Sequence, residues 1–371
     1  MVGRHILAAF IAVLLTIALP ADAGAAFGYL DQLGSAGTAD GQFQDPAGVG
    51  AANGELVVAD RLNTRVQRFN PDTKAFLGKF GTTGGPADVT FDPASGSPNN
   101  VLTVDFSGNL VRRFTSTGTP TGTPTTFAAP GPDGIVVGST GTVFVSNTTN
   151  DRIDRYSSSG TLLGSWGGPG SGDGQFNDPS RLALDGSGNL LVADKGNNRV
   201  QKLNGTTGAH MLTIGSAELN HPEGVAVDLS GNVVVADTGN NRVRRYQSTG
   251  ALIDTYGATG SGPGQFSSPS DVLGFLNGKV YVADELNNRI QILGEGGAPP
   301  GASPTVVTGD AADITQSGAR LTGTVNPQGA STSYRFDYGT TTSLFWFIEL
   351  LFGQINMFYC NIVQHHGNIS I

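Results

Sequence analysis

Two short stretches of the chain read Pro86-Ala87-Asp88 and Pro269-Ser270-Asp271. Four others open on a proline in the same sequence context, with Ala47-Gly48, Asp133-Gly134, Ser180-Arg181 and Glu223-Gly224 following Pro46, Pro132, Pro179 and Pro222. If these positions are equivalent, Asp88, Asp133, Glu223 and Asp271 converge with one cation, Arg181. Such carboxylates supply hard oxygen ligands for a Ca²⁺-like ion, or acceptors for a cationic or hydroxyl-rich ligand. In the competing expectation Arg181 neutralises two of its neighbours and water satisfies the rest.

The equivalence follows from a repeat. Aligned on the "VAD…NNR" motif, the chain places Asp60, Asp105, Asn147, Asp194, Asp237 and Asp284 in register, with successive spacings of 45, 42, 47, 43 and 47 residues. A period of this length means stacked supersecondary units. From Pro222 one unit reads as a strand "PEGVAVD", a turn "LSGN", a strand "VVVAD", a loop "TGNN", a strand "RVRRYQ", a turn "STGA" and a strand "LIDTYG". Four antiparallel strands per period make a propeller blade, and no helical periodicity interrupts them. The sixth copy lacks its fourth strand, since "RIQIL" runs into "GEGGAPPGASP". "FGYLDQLG", residues 27–34, precedes the first copy and aligns with the missing piece. The expected fold is therefore all-β, a six-bladed β-propeller closed by an N-terminal outer strand, which removes the open sheet edges between its ends.

"PEGVAVDLSGNVVVADTGNNRVRRY" resembles the NHL repeat, and residues 27–294 resemble a six-bladed NHL-type propeller. Repeat two departs from the motif with Leu110 in place of Arg, and repeat three has Asn147 in place of Asp. The resemblance implies a binding scaffold. Some NHL propellers bind RNA, and six-bladed relatives include amidating lyases with a channel zinc held by His, and gluconolactonase-like enzymes with a divalent metal. This propeller holds only His210 and His221, so a three-His site cannot be assembled. Glu223 has a counterpart role in the second group, but that family's opening Glu-Gly-Pro has none near the first blade.

Other recurring residues have architectural readings. Asp60 with Arg65, Asp194 with Arg199, Asp237 with Arg242 and Asp284 with Arg289 pair a carboxylate and a guanidinium across one tight loop. A polar pair repeated from blade to blade ties down a corner. Phe43, Phe176 and Phe266 each follow Gly-Gln and are expected to wedge between blades as apolar anchors. Arg68, Arg113, Arg155, Lys202 and Arg245 share one position in the third strand and are expected to form a solvated rim.

Composition bounds the rest. Of 371 residues 55 are Gly and only 14% are charged, which suits short strands joined by tight turns. The net charge of −9 argues against nucleic acid, whose phosphates need clustered Lys and Arg. One cysteine, Cys360, excludes a disulfide scaffold or a Cys-based zinc site. "MVGRHILAAFIAVLLTIALPADA", residues 1–23, has the charged start, apolar run and A-x-A site of a secretory signal peptide, giving a secreted, extracellular or cell-envelope protein. Residues 295–303 form a Gly/Pro linker, and 304–343 resemble the start of a fibronectin type III-like module, a β-sandwich cut short. Residues 344–371 are an apolar tail expected to be an abnormal end rather than a membrane span.

The sequence reads as a secreted binding scaffold for protein, peptide or glycan, not an enzyme, with no cofactor or metal assigned. The alternative is a metal-assisted lyase or lactonase-like hydrolase working at the acidic channel mouth.

Overall fold

The computed structural model describes residues 27–326, apart from 94–99, 116, 122–124, 217, 277, 296, 298–304 and 316–317. Six four-stranded antiparallel sheets follow one another as blades. Blade 1 comprises Pro46–Ala52, Glu55–Asp60, Arg65–Phe69 and Phe76–Gly81 from the channel outward. Blade 2 comprises Pro86–Phe91, Val101–Asp105, Leu110–Phe114 and Thr126–Ala128. Blade 3 runs Pro132–Val137, Val143–Asn147, Arg152–Tyr156 and Leu162–Gly167. Blade 4 runs Pro179–Leu184, Leu190–Asp194, Arg199–Leu203 and His210–Ile214. Blade 5 has Val225–Val227, Val233–Asp237, Arg242–Tyr246 and Leu252–Tyr256.

Blade 6 takes three strands from the end of the ring, Pro269–Leu276, Lys279–Asp284 and Arg289–Glu295. Its outer strand is Phe27–Leu33, antiparallel to the third, with Gly28 opposite Gly294 and Leu33 opposite Ile290. The N-terminal segment thus closes the ring as its pattern predicts. Beyond the propeller, Thr305–Thr315 and Gly318–Asn326 pair as a hairpin. The expected signal peptide, the remainder of the fibronectin-like segment and the tail from 344 lie outside the described residues. Among the described residues no helix is long and apolar enough to cross a membrane.

The core lies between blades. The second strands are unbroken apolar runs because both faces are buried: Val57 and Ala59 pack toward Val89 and Val101 of blade 2, while Leu56 and Val58 pack toward Tyr281 and Ile292 of blade 6. Phe43, Phe176 and Phe266 are fully buried where adjacent blades meet. Phe43, for example, joins Leu33 and Ile290 of blade 6 to Val49 and Phe69 of blade 1. Burying one such ring contributes roughly 3 kcal/mol.

Each corner is a hydrogen-bonded knot around a buried acid. In blade 1 the Asp60 carboxylate accepts from Arg65 Nε at 2.6 Å, from Gln67 Nε2 at 3.1 Å, from Asn63 Nδ2 at 2.9 Å and from the Gln44 N–H at 2.8 Å. Arg65 also donates to the carbonyls of Thr38, Ala39 and Gln42, on the connection entering the blade. Blades 4 and 6 repeat the arrangement, with Arg199 bound to Asp194 at 2.7 Å and Arg289 to Asp284 at 2.8 Å, and Gln201 and Gln291 in the place of Gln67. In blade 5 Arg242 binds Asp237 at 2.5 Å, and Arg244 stands where the Gln would be and pairs with Glu218. The corner therefore holds the incoming connection as well as its own loop.

The two irregular repeats keep this chemistry by other means. In blade 2, where Leu110 replaces the Arg, Arg112 two residues later reaches Asp105 at 3.2 Å. In blade 3 the amide and the acid exchange places: Asn147 Nδ2 donates to Asp154 Oδ2 at 2.7 Å, and Arg152 Nε donates to Asp154 Oδ1 at 2.7 Å. Asp154 occupies the position of Gln67. Every blade retains one acid and one guanidinium.

The second member of the "NN" pair looks to the next blade. Asn109, Asp151, Asn198, Asn241 and Asn288 all have φ between 49° and 55°, a left-handed conformation that Asn and Asp tolerate. Their side-chain Oδ1 atoms accept the N–H of Gly131, Asp178, His221, Ser268 and Asp45, respectively, at 2.7 to 2.9 Å, in each case the residue before the next blade's proline. The Asn288 bond to Asp45 spans the closure of the ring.

The expected solvated rim is corrected. Arg113 and Arg155 lie over the rings of Phe127 and Trp166 at 5.0 and 4.4 Å, and Arg245 over Phe27 at 4.8 Å. Arg68 pairs with Glu55 at 2.5 Å and Lys202 with Asp185 at 2.8 Å. These cations are half-buried or buried because aromatic rings of outer strands and carboxylates beside the second strand lie against them.

The exchange in blade 3 is testable. Asn147→Asp alone sets two buried carboxylates at hydrogen-bond distance and should cost about 3 kcal/mol at neutral pH in urea unfolding. Adding Asp154→Asn, which restores one acid in the order of the other blades, should recover most of that loss. A double variant no more stable than the single one would show that the positions are not interchangeable.

Candidate functional site

The second residue after each blade's opening proline forms a ring around the channel that reads Gly48, Asp88, Gly134, Arg181, Gly224 and Asp271; in blade 5 it lies just ahead of the strand. Small and large alternate for a steric reason. A Cβ on Gly48 would lie 2.5 Å from Asp88 Oδ1, one on Gly134 would lie 2.5 Å from the Ser180 carbonyl oxygen, and one on Gly224 would lie 2.7 Å from Asp271 Cα. Each glycine thus makes room for the close approach of the next blade at Asp88, Arg181 or Asp271.

Arg181 crosses it. Its Nη2 donates to the carbonyls of Ala47 at 3.0 Å and Ala87 at 2.8 Å, and its Nη1 to the Asp133 carbonyl at 2.8 Å and the Asp133 carboxylate at 2.8 Å. One side chain of blade 4 thereby ties blades 1, 2 and 3. The two aspartates bridge neighbouring blades: Asp88 accepts from the N–H of Val89 at 2.7 Å and of Ile135 in blade 3 at 2.9 Å. Asp271 accepts from Val272 and from Val49 of blade 1, both at 2.8 Å. Ser180 Oγ donates to Asp133 Oδ2 at 2.5 Å.

Burial sets the electrostatics. It raises Asp88 to about 6 against the opposing pull of Arg181 and the two N–H groups. It raises Asp271 as well, reinforced by the charge of Asp88. Burial works in the same upward direction on Asp133, but Arg181 and the Ser180 hydroxyl outweigh it and hold that carboxylate below its ordinary value. Burial disfavours the Arg181 charge, and Asp133, Asp88 and Asp271 more than restore it.

Of the five residues proposed from sequence, Asp88, Asp133, Arg181 and Asp271 come together. Glu223 does not join them. Its carboxylate pairs with Lys195, the first residue of the blade 4 corner loop, at 2.9 Å. The expectation of a Ca²⁺-like site is also corrected at this level: a guanidinium occupies the convergence point, and the oxygens of Asp88 and Asp271 are committed to backbone N–H groups. Among the described residues no group of three or more His, Cys, Asp or Glu side chains is arranged to hold a metal ion. His210 contacts Thr213 at 2.9 Å and His221 contacts Asn220 at 2.7 Å, in separate blades.

The sequence reading missed an outer tier. The residue after each corner acid or amide is Arg61, Phe106, Thr148, Lys195, Thr238 or Glu285, on the loops at the proline end of the innermost strands, with Thr238 buried. Arg61 binds Asp45 at 2.8 Å and Glu285 at 2.7 Å across the closure of the ring. Thr238 Oγ1 donates to the Pro269 carbonyl at 2.7 Å. Burial raises Glu285 to about 8, with the nearby Asp45 carboxylate adding to the effect and Arg61 opposing it. Leu62, Phe106 and Leu286, in the loops of blades 1, 2 and 6, are 68%, 53% and 65% exposed. The signal lay in the alignment: this column varies while the corner beside it is chemically constant.

The NHL repeat family matches residues 176–203 and 219–246. No curated protein matches the chain. Among solved structures, a protein of unknown function from Bacteroides thetaiotaomicron is similar over 72% of this chain and 75% of its own, with 16% identity and a TM-score of 0.57. A streptogramin B lyase is similar over 72% of this chain and 98% of its own, with 15% identity and a TM-score of 0.52. A catalytically inactive virginiamycin B lyase from Staphylococcus aureus, with quinupristin, is similar over 71% and 98%, with 16% identity and a TM-score of 0.51. At these identities the likeness is one of fold.

Two outcomes check this geometry. Gly134→Ala places a methyl group against backbone that cannot swing away, and should destabilise the propeller by about 2 kcal/mol in chemical unfolding. For Glu285 the folded value lies above the ordinary carboxylate value, so the folded state holds the proton more tightly. Its contribution is complete below the ordinary value and is lost as pH rises toward 8. The stability of Glu285→Gln relative to the parent should therefore climb between about pH 4.5 and 8. A difference that stays flat with pH would show that Glu285 titrates normally.

Proposed function

We propose that this NHL-type propeller is a secreted binding scaffold that takes a protein, peptide or glycan on the face bearing the channel mouth. The observation that carries the reading is the contrast between the constant corners and the varied residues beside them. Six blades preserve an acid and a guanidinium underneath, while Arg61, Phe106, Lys195 and Glu285 present different chemistry above and Thr148 and Thr238 turn their hydroxyls to backbone carbonyls. Leu62, Phe106 and Leu286 add apolar surface to one arc of the rim. Residues used only for folding have no reason to differ at one level and agree at the next. The hydrophobic N-terminal stretch supports export, which puts such a surface in contact with extracellular or envelope partners.

Solved propellers of similar shape include lyases for streptogramin B and virginiamycin B, so the fold accommodates catalysis. In this chain the centre of the channel is spanned by Arg181, which favours binding over metal-assisted chemistry there.

Peptide and glycan arrays probed with the purified chain supply the test. A ligand found in this way should lose about tenfold or more in affinity in Phe106→Ala or Lys195→Ala. Leu163→Ala, on the exposed outer strand of blade 3, should leave affinity unchanged. An affinity that follows Leu163 and ignores both rim residues would move the binding surface to the circumference.

A further inference from the structure

Blade 2 departs from its neighbours at the outer edge. Its third and fourth strands are joined by residues 115–125, "TSTGTPTGTPT", in which threonine takes every second position and no residue is charged. The corresponding connections in blades 1 and 3, residues 70–75 and 157–161, are about half as long. The first part is an ordinary turn, since the Thr115 N–H donates to the Thr119 carbonyl at 2.8 Å just as Ser157 does to Thr161 in blade 3. The added length follows it. Between the rungs Phe114–Pro120 and Arg112–Thr126, residues 121–125 stand opposite Arg113, whereas blade 1 sets only Leu77 and Gly78 opposite Arg68. Arg113 holds both ends: its N–H donates to the Thr125 carbonyl at 2.9 Å, and its carbonyl accepts from the Thr121 N–H at 3.1 Å. The outer strand that follows, Thr126–Ala128, is the shortest of the six outer strands.

The chemistry of the insertion is that of its hydroxyls. Thr, Gly and Pro bring no large apolar side chain to the core and no charge to a partner. Thr119 and Thr125 are exposed, each adjoins a proline, and among the described residues neither hydroxyl has a hydrogen-bond partner. The hydroxyls of Thr115 and Thr117, by contrast, bond to each other at 2.9 Å, and in blade 3 Thr161 spends its hydroxyl on Ser159 at 3.3 Å. Pro120 biases Thr119 toward extended backbone, the form that an enzyme cleft admits. A Ser/Thr-rich segment with interspersed prolines has the composition of O-glycosylated chain.

We propose that Thr119 and Thr125 are O-glycan acceptors, modified as the chain is exported. The threonine Oγ attacks the anomeric carbon of a sugar carried on a phosphate leaving group. The bond from that carbon to the phosphate oxygen breaks, and the hydroxyl proton passes to a base of the sugar transferase. Sugars attached there cover the short open edge of blade 2. The assignment rests on the export reading above and is independent of what the mouth binds.

The test compares the intact mass of the full chain isolated from its source organism with that of the same chain made in a cytosol lacking such transferases. The exported chain should be heavier by whole sugar residues, located by electron-transfer fragmentation on Thr119 and Thr125. The increments should be lost in the double variant Thr119→Val, Thr125→Val and kept in Thr161→Val, whose hydroxyl is already engaged. A chain that has shed residues 1–23 and carries no sugar, or carries it only at other positions, would overturn the acceptor assignment and leave export standing. A chain retained in the cytosol with residues 1–23 attached would overturn the export reading and the assignment together.

Discussion

A carboxylate buried at each blade corner is the constraint from which much of this molecule follows. A charge taken out of water must be surrounded by donors, and here the donors are an arginine, asparagine and glutamine side chains, and the N–H of the entering connection. Satisfying one acid therefore joins two strands, the loop between them and the segment that arrives from the previous blade. This explains why eight residues are spelled almost identically three times, as "GNNRVQKL", "GNNRVRRY" and "LNNRIQIL". It also explains the irregular blades, where the requirement is for one acid and one guanidinium rather than for either at a given position.

The ring is held by a second set of polar contacts that pass from blade to blade. The left-handed Asn or Asp of one corner binds the N–H before the next proline, and Asp88 and Asp271 bind an N–H of the following innermost strand. Arg181 spans the middle. These links complement the apolar packing between faces, which by itself is non-directional and leaves the angle between neighbouring sheets less defined. The closing strand Phe27–Leu33 adds a backbone ladder at the one place where the chain is interrupted.

Constant and varied positions divide along the axis of the channel. Below the mouth the ring positions are committed to closure: three glycines are needed for the next blade's strand to approach. At the rim the residues sit one step beyond the knots and are released from them. Arg61, Lys195 and Glu285 pair with partners from neighbouring strands, while Phe106, Leu62 and Leu286 face outward. A rigid corner thus presents a variable loop tip, the arrangement on which repeat scaffolds build specificity.

Local pattern carried a large share of this in the linear chain. The four-strand period, the displaced outer strand at residues 27–34, the Asp and Arg of the corners and the buried Phe43, Phe176 and Phe266 could all be read directly, because strand alternation, turn residues and a fixed repeat act over a few residues at a time. The convergence of Asp88, Asp133, Arg181 and Asp271 followed from placing equivalent positions on one ring. What the neighbouring blade supplies was not legible. The Phe27 face beneath Arg245, the pairing of Glu223 with Lys195 and the carbonyls of three blades around Arg181 depend on which groups ring closure brings face to face. Each is a contact between segments whose geometry is set by packing across the fold, and a repeat period records that such contacts exist without recording the partner.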